Sequence, residues 1–389
     1  MSARRLVLVV SLGAGLAACD GDPGLGVGDG GPGPVVGDGG VARGGDAADA
    51  GSGGLPNWAA DWERPIQELT PLPTVPDGGP PPAGLRLPAE YEPTRAVVIA
   101  YTDYPAFLGQ IAVHVAAAGA EVWAIGGPGG LTDVPAAQYV PLSFPFDSVW
   151  TRDYGPVGIE EATGALGIVD HVYRHHATRP RDDAIPCRVA DYAGAVCHPS
   201  PLVLDGGNLM TDGRGNLFMT RRTYVWNSSR SEAEVDQLLR DHLGVTTIHK
   251  LDYATDGSGP ADGTGHIDMF AKLVADCTVL VAESSTAPYA APLEAAATYF
   301  QSLECAPGQS YQVLRLPAWE AYWTWYTYTN SLIVNGTVLV PSYAGGQDGA
   351  AVAVYQEALP GATIVLIPSD EPITSGGSIH CVTKEIPAP

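Results

Sequence analysis

At 389 residues with 45% hydrophobic side chains, the chain can bury a large core, while 48 Gly and 34 Pro call for many turns. Forty-three Asp and Glu against 20 Lys and Arg give a formal charge of −23, with no basic cluster beyond the extreme N-terminus. That balance excludes nucleic-acid binding, which needs Lys and Arg to replace phosphate counterions, and mildly favours a cationic substrate.

The chain opens with Arg4 and Arg5 ahead of a 13-residue apolar run, Leu6 to Ala18. The run is too short to span a bilayer core of about 30 Å and reads as an export signal. It ends in Leu-Ala-Ala-Cys, Leu16 to Cys19, which resembles the lipobox of bacterial lipoproteins and implies acylation of Cys19. The chain is therefore expected to be exported and held at a membrane, on its periplasmic or outer face, by a lipid anchor alone. From Asp20 to about Gly54 almost no large apolar side chain occurs, so nothing offsets the entropy of ordering. A second Pro-rich stretch, Thr70 to Gly84, should run over the surface. The expected organisation is a signal at 1–18, a tether at 19–84 and one compact domain at 85–389.

Helical patterns follow at Phe107 to Ala118, Cys187 to Gly194, Ser231 to Leu243, Ala290 to Leu303 and Gly349 to Leu359. The third is the clearest, with Ser231 and Glu234 forming a capping box and Gly244 as its stop. Paired strand signals lie between the helices, as in Asn330 to Ser342, where Asn335-Gly336 predicts a type I′ turn. Asn208 to Thr220 reads as a second hairpin. Strand, strand, helix, strand recurs about five times, which predicts radial repetition of one ββαβ unit in an α/β fold. A plain doubly wound sheet is the alternative, but a parallel sheet would not need the interrupting hairpins.

Cysteine counting singles out one residue. An exported chain meets oxidising conditions, and lipidation of Cys19 leaves Cys187, Cys197, Cys277, Cys305 and Cys381. Two local disulfides among the first four represent one of three connectivities, and Cys381 is left over. In a radial fold each unit sends a loop toward a common axis, so distant residues can meet. Candidates are Trp150 and Asp153 in the stretch Trp-Thr-Arg-Asp-Tyr-Gly-Pro, and His266 and Asp268, which at spacing two on a strand would share a face. Asn330 and Cys381 complete the set. Together they offer a thiol nucleophile, an imidazole base, two carboxylates and an aromatic wall. Paired carboxylates would clamp a planar guanidinium. A metal site at His266 and Asp268 is the weaker reading, since no further His or Cys stands at ligand spacing.

These stretches, with LDGGNLMTDGRGN (204–216) and GGSIHCVTK (376–384) in order, resemble the family joining agmatine deiminases with Porphyromonas-type peptidylarginine deiminases, within the guanidine-modifying penteins. The resemblance covers about Leu85 to Pro387. It implies a five-bladed β/α-propeller without a metal or organic cofactor. It also implies roles: Cys381 as nucleophile, His266 as general acid and base, Asp153 and Asp268 as guanidinium-binding carboxylates, and Trp150 and Asn330 as pocket residues.

Substrate choice rests on two observations. Agmatine deimination, giving N-carbamoylputrescine in putrescine biosynthesis, is expected inside a cell, whereas this chain carries an export signal. Arg179 and Arg181 stand in a segment resembling the peptidylarginine branch, where paired arginines bind the carboxylate of a C-terminal arginine. The expectation is therefore conversion of peptidyl arginine to citrulline, with agmatine as the alternative and a catalytically dead binding module as a second one.

Overall fold

The computed structural model describes residues 54–73, 79–127 and 129–388; the signal and Cys19 lie outside the described residues. Five of the sheets carry three or four strands, and each is built the same way. An antiparallel hairpin leads into a helix, and the next strand returns parallel to the second strand of the hairpin.

In the first unit the hairpin Val157–Glu160 and Leu166–Val172 precedes the helix Ile185–Ala193 and the strand Val196–Val203. The second has Met210–Thr211 and Asn216–Thr220, then Glu232–Leu243 and Thr247–Leu251. The third has Ala271–Ala275 and Thr278–Glu283, then Ala290–Ser302 and Gln312–Ala321, with Thr324–Thr327 added at the edge. The fourth has Leu332–Val334 and Thr337–Ser342, then Asp348–Ala358 and Thr363–Pro368.

The fifth unit joins the two ends of the ring. The C-terminal strand Lys384–Pro387 pairs antiparallel with Thr94–Ala100, which is followed by the helix Pro105–Ala117 and the strand Glu121–Ile125. This is the ββαβ repetition that the sequence predicts. The inner strands read as near-continuous apolar runs because both faces are covered; in Thr94–Ala100 all but one residue is buried.

Local chemistry explains the element ends. Ser231 Oγ accepts from Glu234 N while Glu234 Oε2 accepts from Ser231 N, and Gly244 closes the same helix at φ 66°. Asn335 and Gly336 both have positive φ, 45° and 80°, as the I′ turn requires. Disulfides join Cys187, inside the helix Ile185–Ala193, to Cys197 on the strand that follows it, and Cys277 to Cys305 within the third unit, and Cys381 is the free cysteine among the described residues. No described helix is long and apolar enough to cross a membrane.

One boundary differs from the sequence expectation. The tether was expected to reach residue 84, but residues 54–69 lie on the ring, with a short helix at Glu63–Leu69 and with Asn57 and Glu63 fully buried. A helix of seven residues carries almost no periodic signal. It is fixed by partners more than 100 positions away, which composition cannot reveal.

Candidate active site

The links between consecutive units converge at one mouth of the ring, and each supplies at least one polar group. Asp153 lies in the single helical turn Thr151–Tyr154 ahead of the first unit. Asp205 precedes the one-turn helix Gly206–Asn208 between the first and second units. His266 and Asp268 stand between the second and third, Asn330 between the third and fourth, and Cys381 in the turn ahead of the closing strand. All six are buried, and Cys381 has 0% exposure.

The expected strand at His266 and Asp268 does not form. His266 caps a one-turn 3-10 helix, Ile267–Met269, and Asp268 sits inside it. The two side chains nevertheless meet in front of Gly207. A Cβ on Gly207 would lie 2.7 Å from Asp153 Oδ1, 2.7 Å from His266 Nδ1 and 3.1 Å from Asp268 Oδ2. Only glycine leaves these three groups a common space, and its amide donates to Asp153 Oδ1 at 3.0 Å.

Around the thiol, Asn330 Nδ2 donates to Cys381 Sγ at 3.1 Å and to Asp268 Oδ2 at 3.2 Å, while Asn330 Oδ1 accepts from Ser378 N and Cys381 N. The whole amide is thus spent on holding the thiol loop against Asp268. Asp268 Oδ2 is 3.7 Å from Sγ and accepts from His380 Nδ1 at 2.7 Å. His380 Nε2 in turn meets Glu90 Oε2 at 2.9 Å, and Glu90 pairs with Lys272 at 2.8 Å. Trp150 forms the wall beside the thiol: a Cβ on Gly377 would meet Sγ at 2.7 Å and the Trp150 ring at 2.8 Å. Asp153 Oδ2, Asp268 Oδ1 and His266 Nδ1 are buried without a hydrogen-bond partner among the described residues. Two carboxylate oxygens are therefore left without a donor, and His266 Nδ1 meets only Asp153 Oδ1, at 3.5 Å.

The imidazole is held from behind. His266 Nε2 is 3.1 Å from Asp205 Oδ2, and Asp205 is ion-paired to Arg174 Nε at 2.6 Å. Burial opposes the imidazolium, but Asp153 and Asp205 outweigh it, and the His266 pKa rises above its ordinary value. Asp153 is pushed up to about 6 by burial, with Asp205 and Asp268 adding repulsion. Asp268 moves the other way, because His380 more than offsets its burial. Burial first, then Asp268 and Asp153, hold the Cys381 thiol well above the usual range. Asp153, Asp205 and His266 each offer a ligand atom within 4.8 Å of the others. Arg174 already places a positive charge there, so the trio is a balanced proton-holding cluster before any cation is added.

Two expected positions fall outside this arrangement. Arg181 is 61% exposed and pairs with Asp147 at 2.5 Å, away from the pocket. Arg179 is fully buried, and both its Nε and Nη2 hold the Glu63 carboxylate, at 2.9 and 2.7 Å. The paired arginines thus offer no free fork to a substrate carboxylate: Glu63 fills one, and Asp147 holds the other at the surface. Sequence reasoning missed Asp205, Arg174, His380, Glu90 and Gly207. Asp205 and Gly207 stand in the LDGGN stretch that carried the resemblance, and His380 adjoins the thiol, but their partners come from other units.

Comparison with known proteins bears on this geometry. The family model for Porphyromonas-type peptidyl-arginine deiminase matches residues 86–387. The agmatine deiminase of Stutzerimonas stutzeri is 28% identical over 294 residues, 66% of this chain and 78% of its own. Among solved structures, the agmatine deiminase of Enterococcus faecalis superposes with a TM-score of 0.70 at 20% identity, over 78% of this chain and 96% of its own. A substrate-bound agmatine deiminase from C. jejuni gives 0.65 at 18%, over 78% and 96%. At these identities the two structures establish the fold.

Proposed function

The chain belongs to the Porphyromonas-type peptidyl-arginine deiminase family and is a hydrolytic, guanidine-modifying enzyme of the pentein fold; on that footing we propose that it deiminates a small guanidine lacking an α-carboxylate, of the agmatine class. The observation that carries this reading is the bidentate Glu63 to Arg179 pair, which leaves no buried fork for a terminal carboxylate. It removes one of the two supports of the peptidyl-arginine expectation, the free pair Arg179 and Arg181; the other, the export signal, stays and means that the small guanidine is met outside the cytoplasm. The sequence relatives named agmatine deiminase support the same choice.

The geometry supports the following course. The guanidinium lies between Asp153 and Asp268, whose free oxygens accept its N–H groups. Burial, Asp268 and Asp153 hold the thiol protonated; the positive charge of the guanidinium offsets the two carboxylates, so Cys381 releases its proton to solvent as substrate enters. The thiolate attacks the guanidinium carbon, and a C–N bond breaks as imidazolium His266 gives its Nδ1 proton to the departing ammonia. The neutral imidazole, still held through Nε2 by Asp205, then takes a proton from water. The hydroxyl adds to the thiouronium carbon, the C–S bond breaks, and the hydroxyl proton passes to the ammonia, so that a ureido product and ammonium leave with the thiolate restored. Guanidinium and water thus give ureide and ammonium, in balance.

The test sets agmatine, free arginine and a peptide ending in arginine side by side in a colorimetric ureido assay. Agmatine is expected to have the highest kcat/KM; a tenfold preference for the peptide would overturn the substrate assignment. Export and lipid anchoring through Cys19 belong to the same proposal, supported by the Leu16 to Cys19 motif and by two disulfides that suit an oxidising compartment. Metabolic labelling with a fatty acid, lost in Cys19→Ser, checks it.

A further inference from the structure

Residues 54–69 stand ahead of the family match, which begins at residue 86, yet they roof the site. Leu55 O accepts from the indole N–H of Trp150 at 2.7 Å. Asn57 N donates to Ser375 O at 2.8 Å, Asn57 Nδ2 donates to Gly376 O at 3.3 Å, and Arg174 donates to Asn57 O. Trp58 bridges two loops: a Cβ on Gly263 or on Gly376 would come within 2.8 Å of its ring. Those loops lead directly into His266 and Cys381.

Beyond Trp58 the short helix is clamped to the segment after the first hairpin. Gln67 Nε2 donates to His175 Nδ1 at 2.5 Å and to Thr178 Oγ1 at 3.2 Å, and Thr178 Oγ1 donates to Glu63 Oε1 at 2.8 Å. Burial, reinforced by Arg179 and Arg174, holds His175 well below its usual pKa, so its ring nitrogen is free to accept. The strap thus touches the links carrying Trp150, Arg174, His266 and Cys381, and beneath it the thiol has no exposure. Its one buried charge, Glu63, makes a fork-to-fork pair with Arg179, whose Nη2 also donates to Trp58 O at 3.1 Å, so the pair sits directly behind the residue that roofs the site.

We propose that residues 55–69 are a specificity-determining strap, in which Trp58 closes the guanidine pocket and Glu63 occupies Arg179 in place of a substrate carboxylate. A guanidine without a carboxylate needs only Trp58 to swing aside. A terminal arginine must also displace Glu63 from a buried ion pair, so discrimination comes from what the strap already fills rather than from contacts to the preferred substrate. This deepens the guanidine-deiminase reading and rests on it.

The experiment uses the full chain with Glu63→Gln, Glu63→Gln/Arg179→Gln and Trp58→Ala, and Arg181→Gln as a control. Two quantities are measured: the ratio of kcat/KM for glycyl-arginine to that for agmatine, and the rate at which iodoacetamide alkylates Cys381, read by peptide mass. Glu63→Gln should raise the ratio at least tenfold by freeing Arg179, and Arg179→Gln on top of it should cancel the rise. Trp58→Ala should speed alkylation at least tenfold, and Arg181→Gln should change neither quantity. An unchanged ratio in folded Glu63→Gln overturns the proposal, as does a rise that survives the double substitution. If the wild-type chain deiminates no guanidine, the functional reading falls by itself. Alkylation then still decides the strap, and a rate unchanged in Trp58→Ala and Glu63→Gln refutes it.

Discussion

Replacing Asp205 by asparagine separates the proton chemistry of the site from its shape. Asp205 Oδ2 is 3.1 Å from His266 Nε2 and 2.6 Å from Arg174 Nε. With Asp153, it raises the His266 pKa against the cost of burial. Asparagine keeps the volume but removes the charge. A hydrogen bond to a charged group contributes about 1.5 to 3 kcal/mol, and one pKa unit corresponds to about 1.36 kcal/mol. The His266 pKa should therefore fall. Arg174, relieved of its counter-ion, pushes in the same direction. The sign follows from the role: the imidazolium is the required form, so activity is present below the His266 pKa and is lost as pH rises through it. The basic limb of kcat/KM should move to lower pH by about one to two units, with the larger loss of rate on the alkaline side. The assay is ureido-product formation from agmatine between pH 5 and pH 9, with circular dichroism to confirm the fold. Breaking a buried ion pair costs about 3 to 5 kcal/mol, so a lower thermal midpoint is also expected. A basic limb that stays in place would refute the assignment of His266 as the acid held by Asp205, whatever the absolute rate.

Cys381→Ala should abolish turnover with little change in thermal midpoint, because the other four described cysteines are in disulfides and the site is held by Asn330 and Ser378; residual turnover above a trace would remove the thiol from the mechanism. Asp153, raised to about 6, must be ionised to hold a guanidinium, so kcat/KM should fall as pH drops below about 6. Asp153→Asn should flatten that limb and lower kcat/KM at pH 8 by about tenfold to a hundredfold, the equivalent of one charge-assisted hydrogen bond; a limb that persists assigns it elsewhere. Gly207→Ala should place a methyl group within 2.7 Å of Asp153 and His266, raising KM for agmatine at least tenfold while the far-ultraviolet spectrum is kept; an unaltered KM would mean that the guanidinium binds away from Gly207.

Much of the ring is written locally. Each of the five expected helices begins and ends within about two residues of its sequence expectation, because 3.6-residue apolar periodicity and caps such as Ser231 with Glu234 are short-range signals. The Asn335-Gly336 turn needs positive φ and names its own residues. The leftover Cys381 follows from counting. The pairing of His266 with Asp268 across one strand face does not survive: they belong to a single 3-10 turn, and Gly207 from a neighbouring link brings them together. Asp205, Arg174 and His380 act through partners in other units, and no spacing within the chain encodes a distance across the ring. The sequence by itself determined the repeat, its turns and the inventory of reactive groups. Only the tertiary structure decided which carboxylate holds His266 and that Arg179 is filled by Glu63, because both depend on segments more than 60 residues apart being brought into contact by ring closure.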